Sequence, residues 1–182
     1  MKKIGTKILE TENLILRKIE LEDYKAAYKN WCSDPLVAKH VTWDAHENDN
    51  VTKEIFEMWV KEYEKPTTLR WIAVEKITNT PIGTIDVVNF SERDSRAEIG
   101  YCYGKNWWGK GYGTEALKAV IDYLFNEVEF EMIVAKHEIS NPASGRCMEK
   151  SGMAYCGILP KWTINKEGKR ENLKQYMILK KQ

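Results

Sequence analysis

The chain has few cysteines, and no two of them are spaced for a metal site or a redox motif. Its 182 residues contain four, at positions 32, 102, 147 and 156, without a Cys-x-x-Cys pair or a zinc-ligand spacing. The three histidines are scattered along the sequence and likewise form no paired spacing. We therefore expect free or buried thiols in a reducing compartment, and no metal site.

A charge excess and long apolar runs are also missing. Lys plus Arg number 28 against 27 Asp plus Glu, which gives a net charge of +1 and no sign of a basic nucleic-acid footprint. The opening stretch MKKIGTKILETENL lacks the apolar core of a secretory signal. No apolar run approaches the ~20 residues that span a bilayer. These absences predict a cytoplasmic protein without nucleic-acid or membrane partners.

The sequence contains no internal repeat, low-complexity tract or linker, so we expect one domain over residues 1–182. Its hydrophobic periodicity predicts the order β-α-α-β-β-β-α-β-α-β-β. The predicted strands cover 13–19, 69–76, 82–90, 97–104 and 132–139, with a closing hairpin around NKEGKR, and the predicted helices lie near 24–31, 50–63, 114–128 and 141–153. Hairpin connections dominate, so the expected class is α/β (α+β), with a mixed, mostly antiparallel central sheet flanked by helices.

Three of the predicted helices carry more specific signals. The helix at 50–63 has an apolar face of Val51, Ile55, Met58, Trp59 and Tyr63, and the helix at 114–128 one of Leu117, Val120, Ile121 and Leu124. The short helix at 141–153 has Asn141 as a plausible N-cap and Pro142 at its first position. Gly152 suits the left-handed C-terminal position.

The stretch NWWGKGYGTEAL places glycines at 109, 111 and 113 directly before a helix. Glycine lacks Cβ, so it adopts positive φ readily and lets a ligand approach the backbone. The first turn of a helix has free N–H groups at the positive end of its dipole. Lys105 and Lys110 add charge nearby. Together these features predict an anion site for a phosphate or pyrophosphate; the alternative is a flexible strand–helix connector.

Two common nucleotide motifs do not match this loop. Its Gly-x-Gly-x-Gly spacing differs from the dinucleotide motif Gly-x-Gly-x-x-Gly. The Lys-Ser/Thr pair of a Walker loop is also missing, which disfavours a nucleoside-triphosphate enzyme. Just before the loop, AEIGYCY has Gly100 in mid-strand, where glycine marks a bulge or a close backbone approach. Main-chain groups freed there could pair with an extended arm that ends in pyrophosphate.

Three segments together resemble the GNAT superfamily of acetyl-CoA-dependent N-acetyltransferases, and most of all its RimJ/RimL ribosomal-protein branch. The segments are LILRKIELEDYKAAYKNWCSDPLVAKHV, AEIGYCYGKNWWGKGYGTEAL and NPASGRCMEKSGM. Gly111 and Gly113 match the glycines of the family's Arg/Gln-x-x-Gly-x-Gly/Ala loop, while Trp108 stands in the Arg/Gln position. The resemblance covers nearly the whole chain.

The resemblance implies acetyl-CoA as the co-substrate and assigns residues to hold it. Backbone N–H groups of Lys110, Gly111, Gly113 and Thr114 would bind the pyrophosphate. The main chain of Tyr101, Cys102 and Tyr103 would pair with the pantetheine arm. Asn141 would hydrogen-bond pantetheine, and Arg146 would reach the nucleotide end.

N-acetyl transfer needs a neutral amine, a donor for the developing oxyanion and a proton for the leaving thiolate. The pKa of an α-amine is about 7.7–8.0 and that of lysine about 10.4, so an α-amine needs only modest help. Glu98 shares a strand face with Gly100 and resembles the base of relatives. Many relatives carry a tyrosine acid where this chain has Met148, so Ser144 is the candidate acid, with water as an alternative.

The resemblance leaves the acceptor open between a protein N-terminus and a small-molecule amine, because the branch includes both. Relatives are often dimers, so a homodimer is open as well. Because Met148 stands where many relatives carry a tyrosine acid, a non-catalytic CoA-binding sensor or interaction module is the alternative hypothesis. The presence of both Glu98 and Ser144 argues for an enzyme.

Overall fold

The computed structural model describes residues 1–181 and folds them around one eight-stranded sheet. The strands are β1 (Leu9–Glu10), β2 (Leu14–Arg17), β3 (Arg70–Glu75), β4 (Thr80–Ser91), β5 (Arg96–Tyr103), β6 (Met132–Glu138), β7 (Ala154–Ile164) and β8 (Arg170–Leu179). The helices are α1 (Asp23–Ala27), α2 (Pro35–Ala38), α3 (Asp49–Glu62), α4 (Tyr112–Asn126) and α5 (Pro142–Lys150). A π-helical turn continues α1 over Tyr28–Cys32, and a 3-10 turn at Lys105–Trp107 precedes α4. Across residues 1–181, every helix is too short or too polar to cross a bilayer.

The strand order is β1-β2-β3-β4-β5-β6-β8-β7, and β5–β6 is the parallel pair among otherwise antiparallel neighbours. This confirms the expected mixed, mostly antiparallel sheet flanked by helices. Two short elements, β1 and α2, were not predicted. They span two and four residues, too few for a hydrophobic period to register.

The parallel pairing of β5 and β6 is short. It joins Arg96–Ile99 to Met132–Ala135 and ends there, although β5 continues to Tyr103 and β6 to Glu138. The two strands therefore diverge toward their carboxyl ends and leave a wedge-shaped gap in the middle of the sheet.

Each face of the sheet has its own core. Helices α4 and α5 cover one face, where Leu117, Val120, Ile121 and Leu124 of α4 are all buried, as predicted. Helices α1 and α3 cover the other face over a second cluster that includes Trp31 and Phe56. Side chains of a strand alternate between its faces, so successive residues of β5 serve different cores.

The irregularity near Gly100 lies in β4 rather than in β5. Val87 pairs with Ile99 and Asn89 with Glu98, so Val88 is the extra residue of a bulge. A Cβ on Gly100 would come within 2.8 Å of Val88 Cγ1. Gly100 is thus required by the close approach of the bulged strand. The main-chain groups of β5 are freed by its divergence from β6.

Candidate active site

A cavity of about 810 Å³ opens where β5 and β6 diverge. On one side it is lined by residues of the glycine loop and of α5, namely Gly109, Gly111, Gly113, Thr114, Asn141, Ser144 and Arg146. On the other side it is lined by the α2–α3 segment and by β4. Most of the residues predicted to hold the co-substrate are therefore brought together around one cavity.

The glycine loop ends in an uncapped helix N-terminus. Gly109 has φ 75° and Gly111, the N-cap of α4, has φ 88°, both in the left-handed region. A Cβ on Gly111 would meet nothing within 4 Å of its position, so the requirement for glycine there is conformational. Among the side chains of residues 1–181, none accepts a hydrogen bond from the first turn of α4. Its N–H groups therefore remain available to an anion.

Gly113 has a different role from the two glycines before it. A Cβ at this position would lie 3.3 Å from the Tyr103 ring and 3.4 Å from Cys147 Sγ. Its small size lets α4 pack closely against β5 and α5. The loop is thus held near the end of β5, where the sheet opens.

Two contacts fix the loop to the sheet. The Tyr112 hydroxyl, in the first turn of α4, donates to Glu75 Oε1 at 2.8 Å. Trp108 Nε1 donates to the Tyr103 carbonyl at 2.7 Å. By contrast, Lys105 Nζ forms an ion pair with Asp34 Oδ2 at 2.9 Å, so its charge is partly matched within the protein.

The main chain of β5 presents alternate residues to the gap. Gly104 N donates to Ile82 O at 2.8 Å. With the register of the β4–β5 pair, this bond places the backbone N–H and C=O groups of the even-numbered β5 residues toward β4. The peptide groups of Tyr101 and Tyr103 therefore face the gap, whereas those of Cys102 face β4. The predicted main-chain role of Cys102 needs correction for this reason.

The N-terminus of α5 lies on the same side of the cavity as the glycine loop. Asn141 Oδ1 accepts from Ser144 N at 3.3 Å, which confirms Asn141 as the N-cap, and Pro142 follows at the first helical position. Ser144 Oγ lies 2.9 Å from the Tyr101 hydroxyl, which also donates to Ser144 O at 3.0 Å. Burial raises the pKa of Tyr101 well above its ordinary value of 10, so the phenol is protonated at neutral pH.

Met148 is 1% exposed and belongs to the core between α5 and the sheet. The position that carries a tyrosine in many relatives is therefore apolar packing here. The hydrogen-bonded hydroxyl groups of Tyr101 and Ser144 line the cavity instead, and the sequence analysis considered only the second of them. Tyr101 was assigned for its main chain, and nothing in the spacing indicated that its side chain would reach α5.

Glu98 lies on the face of the sheet that carries α1 and α3. Its Oε1 forms an ion pair with Lys136 Nζ at 3.0 Å, and the Lys136 ammonium lies 5.0 Å above the Trp162 ring. Glu98 lines an adjoining cavity of about 930 Å³ between α2 and the β7–β8 hairpin. The two cavities share Lys136 and Glu138 as part of their common wall.

The family model for an acetyltransferase (GNAT) domain matches residues 13–154. The chain belongs to the GNAT acetyltransferase family. It is 33% identical over 151 residues to the uncharacterized N-acetyltransferase p20 of Bacillus licheniformis, across 83% of this chain and 84% of that protein. An acetyltransferase of the same family from Bacillus anthracis superposes with a TM-score of 0.84 at 25% identity, over 95% and 98% of the two chains.

A ribosomal-protein-S5-alanine acetyltransferase from Vibrio fischeri shares the fold at 19% identity, with a TM-score of 0.82 over 95% of this chain and 96% of that one. This protein is thus an N-acetyltransferase that uses acetyl-CoA. The free amides at α4 and the peptide groups facing the gap fit that co-substrate, whose thioester supplies an activated acetyl group. Among the described residues, His, Cys, Asp and Glu side chains form no group of three suited to a metal ion.

The acetyltransferase has a further carboxylate at the gap, Asp86 of β4, which the sequence analysis did not single out. It faces Gly100 across the β4–β5 pair and lines the same cavity as the glycine loop. Burial raises the pKa of Asp86, against the opposing effect of Arg70. A signal was present in the sequence, because aspartate is unusual in a strand as apolar as IGTIDVVNF.

Proposed function

We propose that the enzyme transfers the acetyl group of acetyl-CoA to a primary amine by direct attack, with donor and amine bound at the same time. The observation that carries this proposal is the continuity of the 810 Å³ cavity. It extends from the α4 N-terminus, past the gap beside Tyr101, to the pocket under α2 and α3. A donor in the first part and an amine in the last part would meet at the gap.

On the donor side, the N–H groups of Lys110, Gly111, Gly113 and Thr114 would bind the pyrophosphate. The uncapped first turn of α4 supports this assignment. The N–H and C=O of Tyr101 and the N–H of Tyr103 would pair with the pantetheine arm, since they face the gap, whereas the Tyr103 carbonyl already accepts from Trp108. Asn141 and Arg146, which line the same wall, would hold pantetheine and the nucleotide end.

For proton transfer we keep Glu98 as the base, acting through water. Glu98 lines only the adjoining cavity, and its ion pair holds the carboxylate against Lys136, which lines both cavities. Ser144, hydrogen-bonded to the Tyr101 hydroxyl, would supply a proton to the leaving thiolate. This hydroxyl pair offers donors that the apolar Met148 does not.

The acceptor is either a small amine or a protein N-terminus, the two classes found in the RimJ/RimL branch. Membership of that branch is part of the proposal, and so are a cytoplasmic location and the absence of nucleic-acid and membrane partners. The shared fold with a ribosomal-protein acetyltransferase is consistent with the branch but leaves the acceptor undecided. A homodimer, as in many relatives, is proposed on the same basis.

The test is to incubate the protein with acetyl-CoA and a panel of amines and peptides, and to follow the release of free thiol. Release that depends on the amine, with the acetylated product identified by mass, is the expected result. Tight binding of CoA without turnover across the panel would favour the sensor hypothesis instead. The panel should contain aromatic and alkyl monoamines, polyamines, amino acids and peptides with free N-termini.

A further inference from the structure

Asp86 belongs to a cluster of three charged groups with one negative charge in excess. Arg70 Nη1 is hydrogen-bonded to Glu62 Oε2, while Arg70 Nε and Nη2 lie 3.3 Å from Asp86 Oδ2. One guanidinium thus serves two carboxylates, and the Asp86 contacts are the longer ones. The Asp86 side chain is 19% exposed, so water compensates for little of the excess.

Asp86 lines the cavity, and within residues 1–181 its second oxygen, Oδ1, makes no hydrogen bond. Its Oδ1 lies 4.0 Å from the position that a Cβ on Gly100 would occupy. A group bound to Oδ1 would therefore lie beside the point at which the donor and acceptor parts of the cavity meet.

The other carboxylate that lines this cavity, Glu138, has its hydrogen-bond partners on one oxygen. Its Oε2 lies 2.9 Å from His40 Nδ1 and also accepts from Ser140 Oγ at 3.3 Å. Within residues 1–181, Asp86 Oδ1 and Glu138 Oε1 both lack a hydrogen-bond partner, and Asp86 is the carboxylate that faces Gly100 beside the gap. Burial raises the pKa of Asp86 and Glu62 adds to this effect, while Arg70 lowers it.

The walls around Asp86 are largely apolar and aromatic. They are formed by Leu36, Val37, Val41, Trp43, Trp59 and Val88. Trp59 also lies against the Arg70 guanidinium, 4.6 Å from its Cζ to the ring centroid, so the aromatic wall and the charged cluster form one unit. The pocket thus combines two carboxylates, Asp86 and Glu138, with a group of apolar and aromatic side chains.

We propose that Asp86 binds the ammonium group of the acceptor, and that this pocket selects a small primary amine on an apolar stem. The inference rests on the proposed function and names the acceptor class that it left open. A polyamine would place a second ammonium either among these apolar side chains, at a desolvation cost, or against Glu138, whose nitrogen partner is His40. A peptide would bring its first peptide N–H and C=O against the same apolar walls, at a cost of a few kcal/mol if they stay unpaired.

The experiment compares two acceptors of similar shape in wild type and in Asp86→Asn. Phenethylamine is a cation at neutral pH, whereas O-benzylhydroxylamine is uncharged there. Loss of the charged partner should lower kcat/KM for phenethylamine on the order of 10- to 100-fold, mainly through KM. For O-benzylhydroxylamine, kcat/KM should stay within about threefold of the wild-type value, and KM for acetyl-CoA should not change. Asp122→Asn, on the exposed face of α4, is the matched control.

A second variant guards against misfolding of the first. Glu62→Gln leaves Asp86 in place but removes the competing carboxylate, so that Arg70 is free to neutralise Asp86. This variant should also lower kcat/KM for phenethylamine, and kcat/KM for the uncharged acceptor should not change. Thermal unfolding and acetyl-CoA binding of each variant report whether the fold is intact.

Several results would overturn the inference. An equal loss for both acceptors would reduce Asp86 to a structural role, and unchanged selectivity in folded Asp86→Asn would exclude it from the acceptor site. Faster wild-type turnover of spermidine or of a peptide with a free N-terminus than of phenethylamine would refute the acceptor class. In each of these cases the proposed function stands, whereas wild type without any amine-dependent thiol release would overturn both.

Discussion

The hydroxyl oxygens of Tyr101 and Ser144 lie 2.9 Å apart and join β5 to the N-terminus of α5 beside the gap in the sheet. A serine in the first turn of a helix usually satisfies nearby backbone groups. Here its hydroxyl is engaged by a side chain 43 residues away. In the proposed mechanism the Tyr101 hydroxyl, kept protonated by a pKa raised through burial, would orient the Ser144 hydroxyl that protonates the thiolate, and Ser144 would regain its proton from water.

Replacing Tyr101 by phenylalanine tests this pair. The change removes the hydroxyl but keeps the peptide groups that face the gap, so acetyl-CoA binding should be retained. If the pair supplies the proton, kcat should fall on the order of 100-fold, and Ser144→Ala should have a comparable effect. Because the two hydroxyls act together, the double variant should be little worse than either single one. Tyr155→Phe, at an exposed tyrosine of β7, is the control.

Steady-state kinetics with a saturating amine measure this effect. Additive losses in the double variant would show that the hydroxyls act independently. Full activity in Tyr101→Phe with reduced activity in Ser144→Ala would leave Ser144 as the sole acid and remove Tyr101 from the mechanism.

The positive φ of Gly111 can be tested through the binding of CoA. Valine at φ 88° is strained, so Gly111→Val should distort the start of α4 and weaken CoA binding at least about tenfold. Gly168→Val is a close control, because Gly168 also has positive φ, at 76°, with nothing within 4 Å of its Cβ position. It lies in the β7–β8 turn, away from the loop.

Isothermal titration with CoA and thermal unfolding separate the two effects. Both variants should lose stability, by about 1–2 kcal/mol from backbone strain, but only the one at Gly111 should lose affinity. Unchanged affinity in Gly111→Val would contradict the placement of the anion at this helix start.

Features that depend on local sequence were predicted well. The apolar stripe of α4 is one example, because a helix packed along one side buries residues at the spacing that its sequence shows. The glycine loop and the capped start of α5 are others, since their geometry is determined within a few residues. In each case neighbouring residues carry both the signal and its physical cause.

Features that depend on how elements meet were not predicted. In α3, Val51 and Met58 are 37% and 59% exposed, while Thr52 is fully buried and bonded to His46. The helix is rotated from its apolar stripe because a tertiary hydrogen bond satisfies the threonine. Likewise the partner of Glu98 depends on the register of β5 against β6, and the sequence of β5 alone does not contain it.

Glu75 links stability to pH at the base of the glycine loop. The hydrogen bond from Thr78, followed by that from Tyr112, lowers the pKa of this buried carboxyl below its ordinary value of 4.5. A carboxyl whose folded pKa is depressed stabilises the fold above its unfolded pKa, about 4.3, and this contribution is lost as pH falls through the folded value. We expect Glu75→Gln to lower the free energy of unfolding by about 1–3 kcal/mol at pH 7.

Urea denaturation from pH 3 to 8 tests the sign of this effect. The difference between wild type and Glu75→Gln should narrow as pH falls below about 4. Glu92→Gln, which removes an exposed partner of Lys3, should change stability by less than about 1 kcal/mol at any pH. If the difference in the free energy of unfolding between wild type and Glu75→Gln did not change with pH, the charge of Glu75 would not stabilise the loop.

The proposed base, Glu98, predicts a change in the pH dependence of turnover. A carboxylate that removes a proton from the acceptor matters most where the free amine is scarce, so Glu98→Gln should lower kcat mainly below pH ~8. Lys136→Met, which removes the 3.0 Å ion pair but keeps the carboxylate, is the companion variant. If Lys136 only positions Glu98, its loss should reduce kcat less than Glu98→Gln does, with CoA binding retained in both. Rates equal to wild type from pH 6 to 9 in Glu98→Gln would rule this residue out as the base. The proton would then pass to bulk water directly, as an α-amine with a pKa near 8 permits more readily than a lysine does.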